Sequence, residues 1–206
     1  SHRDSDHTGG AAALLAMQPQ ARLLASIEEG HPLQALRPAG RCEAGQRWTW
    51  DGVEFSIIHP RAADYAAPAK PNARSCVLRI ANGRASVLLA GDIELAQEAR
   101  LVADQGAALR ADLLLVPHHG SKTSSSEAFL AAVQPRWAVV QAGYRNRFGH
   151  PAAPVVARYQ AHGSALVESP RCGAAHWSSA QPRRLDCERA LAPRYWRHQA
   201  APASGG

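Results

Sequence analysis

The sequence predicts an α/β domain in which α and β segments form layers, and two observations lead to this prediction. Apolar runs of strand length alternate with segments of helical spacing along the 206 residues. The chain is 46% hydrophobic and 19% charged, which is typical of a globular protein and excludes a disordered or fibrous one. No run approaches the roughly 18 apolar residues that a membrane span requires.

Two helices are predicted within the first 40 residues. Residues 1–10 are polar and end in two glycines, which indicates a turn. Helices are expected over 11–17 and 20–29 because both segments are rich in alanine and leucine. Residues 30–40 contain two prolines and two glycines, so a loop or a weak strand is expected there.

Beyond residue 40 the apolar spacing changes to that of strands. Asp51-Gly52 and Asn82-Gly83 are typical hairpin turns. Strands are expected at 53–58, 75–80, 86–90, 112–116, 137–141 and 165–168, and helices at 93–109, 126–133 and 152–162. Residues 61–72 are predicted to form an exposed loop. The main domain is expected to cover 1–180, followed by a partly disordered C-terminal extension at 181–206 with a frayed tail at 200–206.

The four cysteines show no CxxC spacing, which argues against a zinc knuckle. Three disulfide pairings can be written, and we favour Cys42–Cys76 with Cys172–Cys187 because each pair closes a short local loop. Two disulfides would suit an oxidising compartment such as a periplasm. The alternative is four buried thiols.

The chain carries a formal charge of +6, and only Lys70 and Lys122 of its 23 basic residues are lysines. Guanidinium groups match phosphate geometry, so this composition permits binding to a polyanion. The alternative is a bias in nucleotide composition with no functional meaning. Charge alone therefore allows nucleic acid as a partner without proving it.

Three polar segments carry the chemistry. The first is His2-Arg-Asp4-Ser-Asp6-His7, in which alternate side chains of an extended loop would converge. Imidazoles and carboxylates are ligands for divalent metals, whereas a solvated surface turn could hold the same residues.

The second and third segments follow predicted strands. Asp92, after the strand at 86–90, could bridge two cations or could cap the next helix. His118 and His119 follow the strand at 112–116, and adjacent side chains diverge, so at most one is expected to be a metal ligand. The other would contact substrate or hydrogen-bond a ligand. The alternative for this pair is an ordinary polar turn.

In this order, HxDxDH, strand-GD and strand-PHHGS, the three segments resemble the metallo-β-lactamase superfamily. More closely, the chain resembles the C-terminal metallo-β-lactamase-like domain of the ComEC competence proteins, over Ser1 to about Trp177. Further matching segments are WTWDGVEFSIIHP, NARSCVL, SVLLAGDIE, ADLLLVPHHGSKTSSSEAFL and AGYRNRFGHP. The resemblance implies an αββα sandwich, incomplete because the family's first strands are absent from this chain, with apolar faces left exposed. The chain starts inside a motif, without an initiator methionine, and is expected to be a fragment of a larger polypeptide.

The resemblance also implies a ligand set for two divalent metal ions. His2 and Asp4 would hold one ion, Asp6, His7 and His119 the other, and Asp92 would bridge them. His59 occupies a place comparable to a further superfamily ligand, although His-Pro could equally be a turn that ends a strand. Many zinc hydrolases of this fold carry histidine where this chain has Asp4. A third carboxylate makes the site harder, so Mn²⁺ is favoured narrowly over Zn²⁺.

The expected reaction is hydrolysis of a DNA phosphodiester by two metals. Asp6 would orient the attacking water, Asp92 would set the metal spacing and His118 would touch the substrate. The candidate groups for phosphate and substrate binding are Ser121, Lys122, Ser124, Ser125, Arg145, Asn146, Arg147 and His150. Two rivals stay open: a hydrolase of another phosphoester or of a lactone, and a catalytically silent module that guides DNA.

The family further implies DNA uptake in natural transformation, in which a membrane channel passes one strand and the other is degraded. The chain would then be a soluble domain of a multi-pass inner-membrane protein, on the periplasmic face. Its expected partners are DNA, single-stranded above all, the membrane-channel portion of the same polypeptide, and the proteins that deliver DNA.

Overall fold

The computed structural model describes residues 1–194, within which eleven strands and eight helices form. The strands are β1 (Leu23–Ala25), β2 (Ala39–Arg41), β3 (Arg47–Trp50), β4 (Val53–His59), β5 (Val77–Ala81), β6 (Ser86–Leu89), β7 (Leu113–Leu115), β8 (Trp137–Val140), β9 (Ala165–Glu168), β10 (Ala175–Trp177) and β11 (Leu185–Cys187). The helices are α1 (Ser5–Thr8), α2 (Ala11–Met17), α3 (Pro32–Leu36), α4 (Leu95–Gln105), α5 (Glu127–Val133), α6 (Ala153–Ala161), α7 (Ser169–Cys172) and α8 (Glu188–Leu191).

The central sheet has seven strands in the order β3-β4-β5-β6-β7-β8-β9. The pairs from β3 to β6 are antiparallel, and those from β6 to β9 are parallel. Helices α4, α5 and α6 each connect two neighbouring parallel strands. Because β6 to β9 are adjacent in the sheet in the same order as in the chain, right-handed crossovers place all three helices on one face of the sheet. The predicted layered α/β class is confirmed.

The two faces of this sheet have different neighbours, because successive side chains point to opposite sides. Leu88 and Leu114 are fully buried in the core formed with α4, α5 and α6. Leu89 and Leu115 line a cavity of about 1010 Å³ on the other side, near β1. Trp50, on edge strand β3, also lines this cavity and is 69% exposed. Part of the second face is therefore uncovered apolar surface.

The helix predicted over 20–29 is wrong. Leu23–Ala25 is instead a short strand that pairs in parallel with Ala39–Arg41. Helix propensity is a weak preference, and hydrogen bonding to a partner strand overrides it here. For residues 30–40 a loop or a weak strand is predicted, and the short strand β2 begins there at Ala39. Helix α3 precedes it and has Pro32 in its first turn.

Local signals explain where other elements end. Helix α4 starts at Leu95, two residues later than predicted, because Glu94 and Gln97 form a capping box. It ends at Gly106, whose φ of +50° is left-handed, and a 3-10 turn continues to residue 109. The hairpin turn at Asp51-Gly52 is confirmed, with positive φ at both residues.

Both predicted disulfides are confirmed: Cys42 pairs with Cys76, and Cys172 pairs with Cys187. The first joins the end of β2 to the start of β5. The second closes a small unit in which β10 and β11 form an antiparallel pair that the arginine-rich and proline-rich sequence did not predict. Because β10 lies before residue 180 and β11 lies after it, this pair crosses the predicted boundary between the main domain and the C-terminal extension. The frayed tail predicted at 200–206 lies outside the described residues.

In keeping with the short apolar runs of the sequence, no helix within residues 1–194 is long and apolar enough to cross a membrane.

Candidate metal centre

Three loops meet at one edge of the central sheet, beyond the carboxyl ends of parallel strands β6 and β7. The loop after β6 carries Asp92, and the loop after β7 carries His118 and His119. The N-terminal segment reaches the same edge because His2 forms an isolated parallel bridge with Ser26, directly after β1. Open α/β sheets place functional groups at this edge of the parallel strands.

Four side chains form the centre of the site: Asp6, His7, Asp92 and His119 each offer one ligand atom, and these atoms lie within 4.8 Å of one another. Nε2 of His119 lies 3.0 Å from Oδ2 of Asp6 and 3.6 Å from Oδ2 of Asp92. Nε2 of His7 lies 3.1 Å from Oδ1 of Asp92. Two imidazoles and two carboxylates at these separations form a donor set suited to a divalent cation.

His2 and Asp4 lie beside this cluster, with Nε2 of His2 at 3.4 Å from Oδ2 of Asp4 and the rings of His2 and His7 4.3 Å apart. The Nε2 atoms of both histidines are buried, and although each lies within 3.4 Å of a carboxylate oxygen, neither makes a well-aligned hydrogen bond with a described residue. An unsatisfied buried nitrogen is costly, and a cation would satisfy it. The residues present therefore fit a metal ion.

The N-terminal segment reaches the cluster by a different local structure from the predicted one. An extended loop with alternating side chains was expected, but Ser5–Thr8 form the single helical turn α1. Asp4 has an extended backbone and precedes that turn. The change to helical geometry brings the adjacent side chains Asp6 and His7 to the same cluster.

His118 and His119 adopt left-handed backbone conformations, with φ of +49° and +54°. Such conformations cost non-glycine residues about 1–2 kcal/mol each and concentrate at functional sites. They direct the two rings apart. Nδ1–H of His119 donates to the carbonyl of Gln141 at 2.7 Å, which turns Nε2 toward the cluster. His118 uses Nδ1 with Thr123 at 3.1 Å, and its Nε2 lies 3.3 Å from the amide nitrogen of Asn72.

Electrostatics favour the protonation states that metal ligands require. Burial opposes the ionisation of Asp92, but the imidazoles of His7, His119 and His118 outweigh it and hold the pKa of that carboxyl below its usual value. Burial, with a further contribution from His7, lowers the pKa of His2. Asp92 is therefore a carboxylate and His2 a neutral imidazole near neutral pH, which are the forms that bind metals.

Ser75 connects two of these residues beneath the site. Its side chain is completely buried, and its Oγ accepts the backbone N–H of Asp92 at 3.0 Å. The same Oγ lies 3.2 Å from Nδ1 of His2. The hydroxyl of Ser75 therefore orients two groups: the ring of His2 in the N-terminal segment and the backbone of the loop that carries Asp92.

We expect Ser75→Ala to weaken the binding of a divalent metal by about 10- to 100-fold, because the groups that orient metal ligands contribute effects of that size. Titration calorimetry with Mn²⁺ measures the change. Ser86→Ala is the matched control, since that hydroxyl lies at the other end of β6 and donates to the carbonyl of Arg110. Equal metal affinity of the Ser75→Ala and wild-type chains would contradict the expectation.

The structure does not bring His59 into the cluster. The ring is buried at the end of β4, where the register with β5 shifts. Nδ1–H donates to the carbonyl of Ser75 at 2.8 Å, and Nε2 lies 3.3 Å from Nη2 of Arg100. His59 therefore supports the backbone of Ser75 from below the site, in agreement with the strand-ending turn that the sequence left open.

The predicted serine donors are engaged inside the protein. The hydroxyl of Ser124 donates to backbone carbonyls, and those of Ser121 and Ser125 bond Thr123 and Tyr159. The N-terminus of α5, where a phosphate was expected, is occupied by a carboxylate of the protein. Glu98, which is fully buried, accepts the backbone N–H groups of Ser125 and Ser126. Sequence reasoning missed Glu98, because only the packing of α4 against α5 shows this contact.

The remaining predicted substrate groups surround the rim. Lys122 is exposed. Asn146 uses its amide within its own loop, donating to the carbonyl of His150 at 2.6 Å and accepting the N–H of His150 at 3.0 Å. The His150 ring lies 6.0 Å from the ring of His118, and its buried Nδ1 has no partner among the described residues. His150 is therefore in contact with His118, which lies beside the cluster.

A mixed sheet flanked by helices, with histidines and aspartates gathered beyond the parallel strands, defines the class of a metallo-β-lactamase-fold protein. The profile of the "Metallo-beta-lactamase superfamily" matches residues 1–143. The chain belongs to that superfamily, which confirms the predicted fold family.

Among curated proteins, the chain is 40% identical to "Competence protein ComA" of Neisseria gonorrhoeae, over 84% of this chain and 24% of that protein. It is 36% identical to "Recombination protein 2" of Haemophilus influenzae, over 81% of this chain and 20% of that protein. The chain thus spans a fifth to a quarter of the length of these relatives. The resemblance to competence proteins is confirmed.

Among solved structures, CmlA, a diiron beta-hydroxylase from Streptomyces venezuelae, covers 82% of this chain with a TM-score of 0.53 and 15% identity, over 42% of its own length. At that identity the similarity shows the fold alone.

Proposed function

We propose that this chain is a metal-dependent phosphodiesterase domain that cleaves DNA during DNA uptake. The observation that carries the proposal is the cluster of Asp6, His7, Asp92 and His119, whose ligand atoms lie within 4.8 Å of one another. The exposed rim beside it holds cationic and aromatic side chains suited to a polyanion.

Two divalent ions would be held by this site. His2 and Asp4 are the ligands proposed for one, Asp6, His7 and His119 those for the other, and Asp92 is proposed as a ligand shared by both ions. Three carboxylates contribute oxygen donors, so the proposal favours Mn²⁺ narrowly over Zn²⁺. Bound ions supply the polarisation of a phosphoryl oxygen and the activation of water.

The chain's own residues perform the other parts of the reaction. The side chain of Asp6 is 57% exposed, so its carboxylate faces solvent and can orient the attacking water. Asp92, whose side chain is only 7% exposed, contacts His7 and His119 and would set the spacing of the two ions. His118 stands at the rim with its ring fixed by Thr123 and Asn72, where it would contact the substrate.

The setting of this reaction is proposed from the relatives. Two relatives, "Competence protein ComA" and "Recombination protein 2", support a role in DNA uptake. Two disulfides support an oxidising compartment, which agrees with the periplasmic face of an inner membrane. The proposed partners are single-stranded DNA, a membrane-channel portion of the same polypeptide and the proteins that deliver DNA.

The test is hydrolysis of bis(p-nitrophenyl) phosphate and of a DNA oligonucleotide by the 206-residue chain, with Mn²⁺, Zn²⁺ or Mg²⁺ added after treatment with EDTA. We expect metal-dependent turnover of both substrates, highest with Mn²⁺, and metal bound by the chain in elemental analysis. Metal binding without turnover of either phosphodiester would overturn the proposal.

A further inference from the structure

The loop between β8 and α6, residues 143–150, carries two exposed aromatic side chains, each next to an arginine in the sequence. Its sequence is GYRNRFGH. Tyr144 and Phe148 are 52% and 66% exposed. The guanidinium carbon of Arg145 lies 5.3 Å from the centre of the Tyr144 ring, and that of Arg147 lies 4.8 Å from the centre of the Phe148 ring. Each exposed ring is therefore paired with a cation beside it.

These planar groups form a row that leads from solvent to the candidate metal centre. The Phe148 and His150 rings are stacked, with centres 5.8 Å apart and an angle of 17° between their planes. The His150 ring is 6.0 Å from the ring of His118. Nε2 of His118 is 4.0 Å from Oδ2 of Asp92. Successive contacts thus connect the exposed Phe148 ring to Asp92 of the metal cluster.

The row is held in place by the loop itself. The amide of Asn146 donates to the carbonyls of Gly143 and His150 and accepts the N–H of His150. This closes the loop at both ends, so Arg147 and Phe148 lie at its exposed tip. A preformed loop loses less conformational entropy when it binds a ligand.

Exposed rings beside guanidinium groups match the chemistry of single-stranded nucleic acid. Every base has a flat face that stacks on an aromatic ring, and each phosphate pairs with a cation. In a duplex the bases already stack on one another, and the faces are hidden. A single strand whose bases lie along the row would have its backbone beside the metal cluster.

From these contacts we propose that the loop at residues 143–150 is a base-stacking site for single-stranded nucleic acid, with Phe148 as the stacking ring and Arg147 as the phosphate-binding cation. The proposal rests on the proposed function for its biological meaning, because it names the substrate class of the same site. It assigns recognition to this loop and leaves hydrolysis to the metal cluster.

The test measures affinity apart from catalysis. Fluorescence anisotropy with a labelled oligothymidine in EDTA reports binding of the strand, and titration calorimetry with Mn²⁺ reports the metal centre in the absence of any substrate. We expect Phe148→Ala to weaken binding of the oligothymidine by about tenfold or more, since stacking of a base on an aromatic ring contributes effects of that size. The affinity of the Phe148→Ala chain for Mn²⁺ should stay within about twofold of wild type.

Matched variants separate stacking from simple apolar contact and from net charge. Phe148→Trp should retain binding, whereas Phe148→Leu, which keeps an apolar side chain, should weaken it. Arg147→Gln should reduce the dependence of log affinity on log salt concentration by about 0.7, as expected for one phosphate contact on a single strand. Arg84→Gln is its control, because Arg84 lies in the turn between β5 and β6, at the end of β6 remote from Asp92.

An abasic oligonucleotide gives the decisive comparison, because it keeps the phosphates and lacks the bases. Wild type and Phe148→Ala should bind it equally. Equal affinity of these two chains for oligothymidine, or equal effects of the Leu and Trp variants, would overturn the inference. Failure of the wild-type chain to hydrolyse any phosphodiester would overturn the proposed function alone, since the measurements of oligonucleotide binding are made without metal.

Discussion

Asp92→Asn should reduce metal-dependent phosphodiester hydrolysis by at least about 100-fold. Even residues that only orient metal ligands contribute about 10- to 100-fold to affinity or activity. Asp92 does more, because Oδ1 lies 3.1 Å from Nε2 of His7 and Oδ2 lies 3.6 Å from Nε2 of His119. The asparagine keeps the volume but loses the negative charge between these rings. Turnover of bis(p-nitrophenyl) phosphate and the metal content per chain measure the two consequences.

The matched control is Asp104→Asn, which removes an exposed carboxylate paired with Arg61. Surface ion pairs of this kind contribute about 0–1 kcal/mol, so both metal content and turnover should match those of wild type. Circular dichroism should show that both variants are folded. Full turnover by a folded Asp92→Asn chain would remove Asp92 from the proposed site.

Glu98→Ala should lower the free energy of unfolding by about 3 kcal/mol. The carboxylate is fully buried and accepts the backbone N–H groups of Ser125 and Ser126, the two residues that immediately precede α5. Removing it leaves two buried donors unsatisfied, each at a cost of about 1–3 kcal/mol. For a chain of this size the melting temperature should fall by about 10 °C. Urea unfolding followed by circular dichroism measures the change.

Glu127→Ala is the control for this prediction, because Glu127 is exposed in the first turn of the same helix and pairs with His162 at 2.7 Å. Its loss should cost well under about 1 kcal/mol. A Glu98→Ala chain as stable as this control would show that the buried carboxylate does not hold α5 in place.

The stability contributed by Glu98 should also depend on pH. Burial raises the pKa of this carboxyl above its ordinary value of 4.5, against the opposing effect of the backbone N–H groups. The folded state therefore binds the proton more tightly than the unfolded state does. The part of the free energy of unfolding that comes from this tighter proton binding is fully present below about pH 4.5 and is lost as the pH rises through the folded-state pKa of Glu98. Glu98→Gln, which does not titrate, should lack this component when unfolding is measured across the same pH range.

Some features of the site could be predicted from the sequence because they are local. Asp92 directly follows an apolar strand, and so does the His118-His119 pair after its proline. Parallel strands bring the ends of these two segments together, and the resemblance to the metallo-β-lactamase superfamily indicated that the N-terminal segment joins them. The disulfides were found for a similar reason, since each partner is nearby in sequence.

Other features depend on contacts between distant segments. Residues 23–25 are a strand because of their pairing with Ala39–Arg41, and their own composition favours a helix. Ser75 has no motif of a metal ligand, and its role depends on where β5 places its hydroxyl relative to His2 and Asp92. His59 ends a strand as a ligand would, but the shift in register at the end of β4 directs it to Arg100.

The meeting of separate loops at one sheet edge has a consequence for engineering. The groups proposed to hold metal come from the N-terminal segment and from the loops after β6 and β7, whereas the aromatic row arises from the loop after β8. Residues 143–150 are closed by the bonds of Asn146 within the loop. This segment is therefore an exchangeable cassette, and grafting a different loop of the same length offers a way to redirect substrate choice while the ligand set is retained.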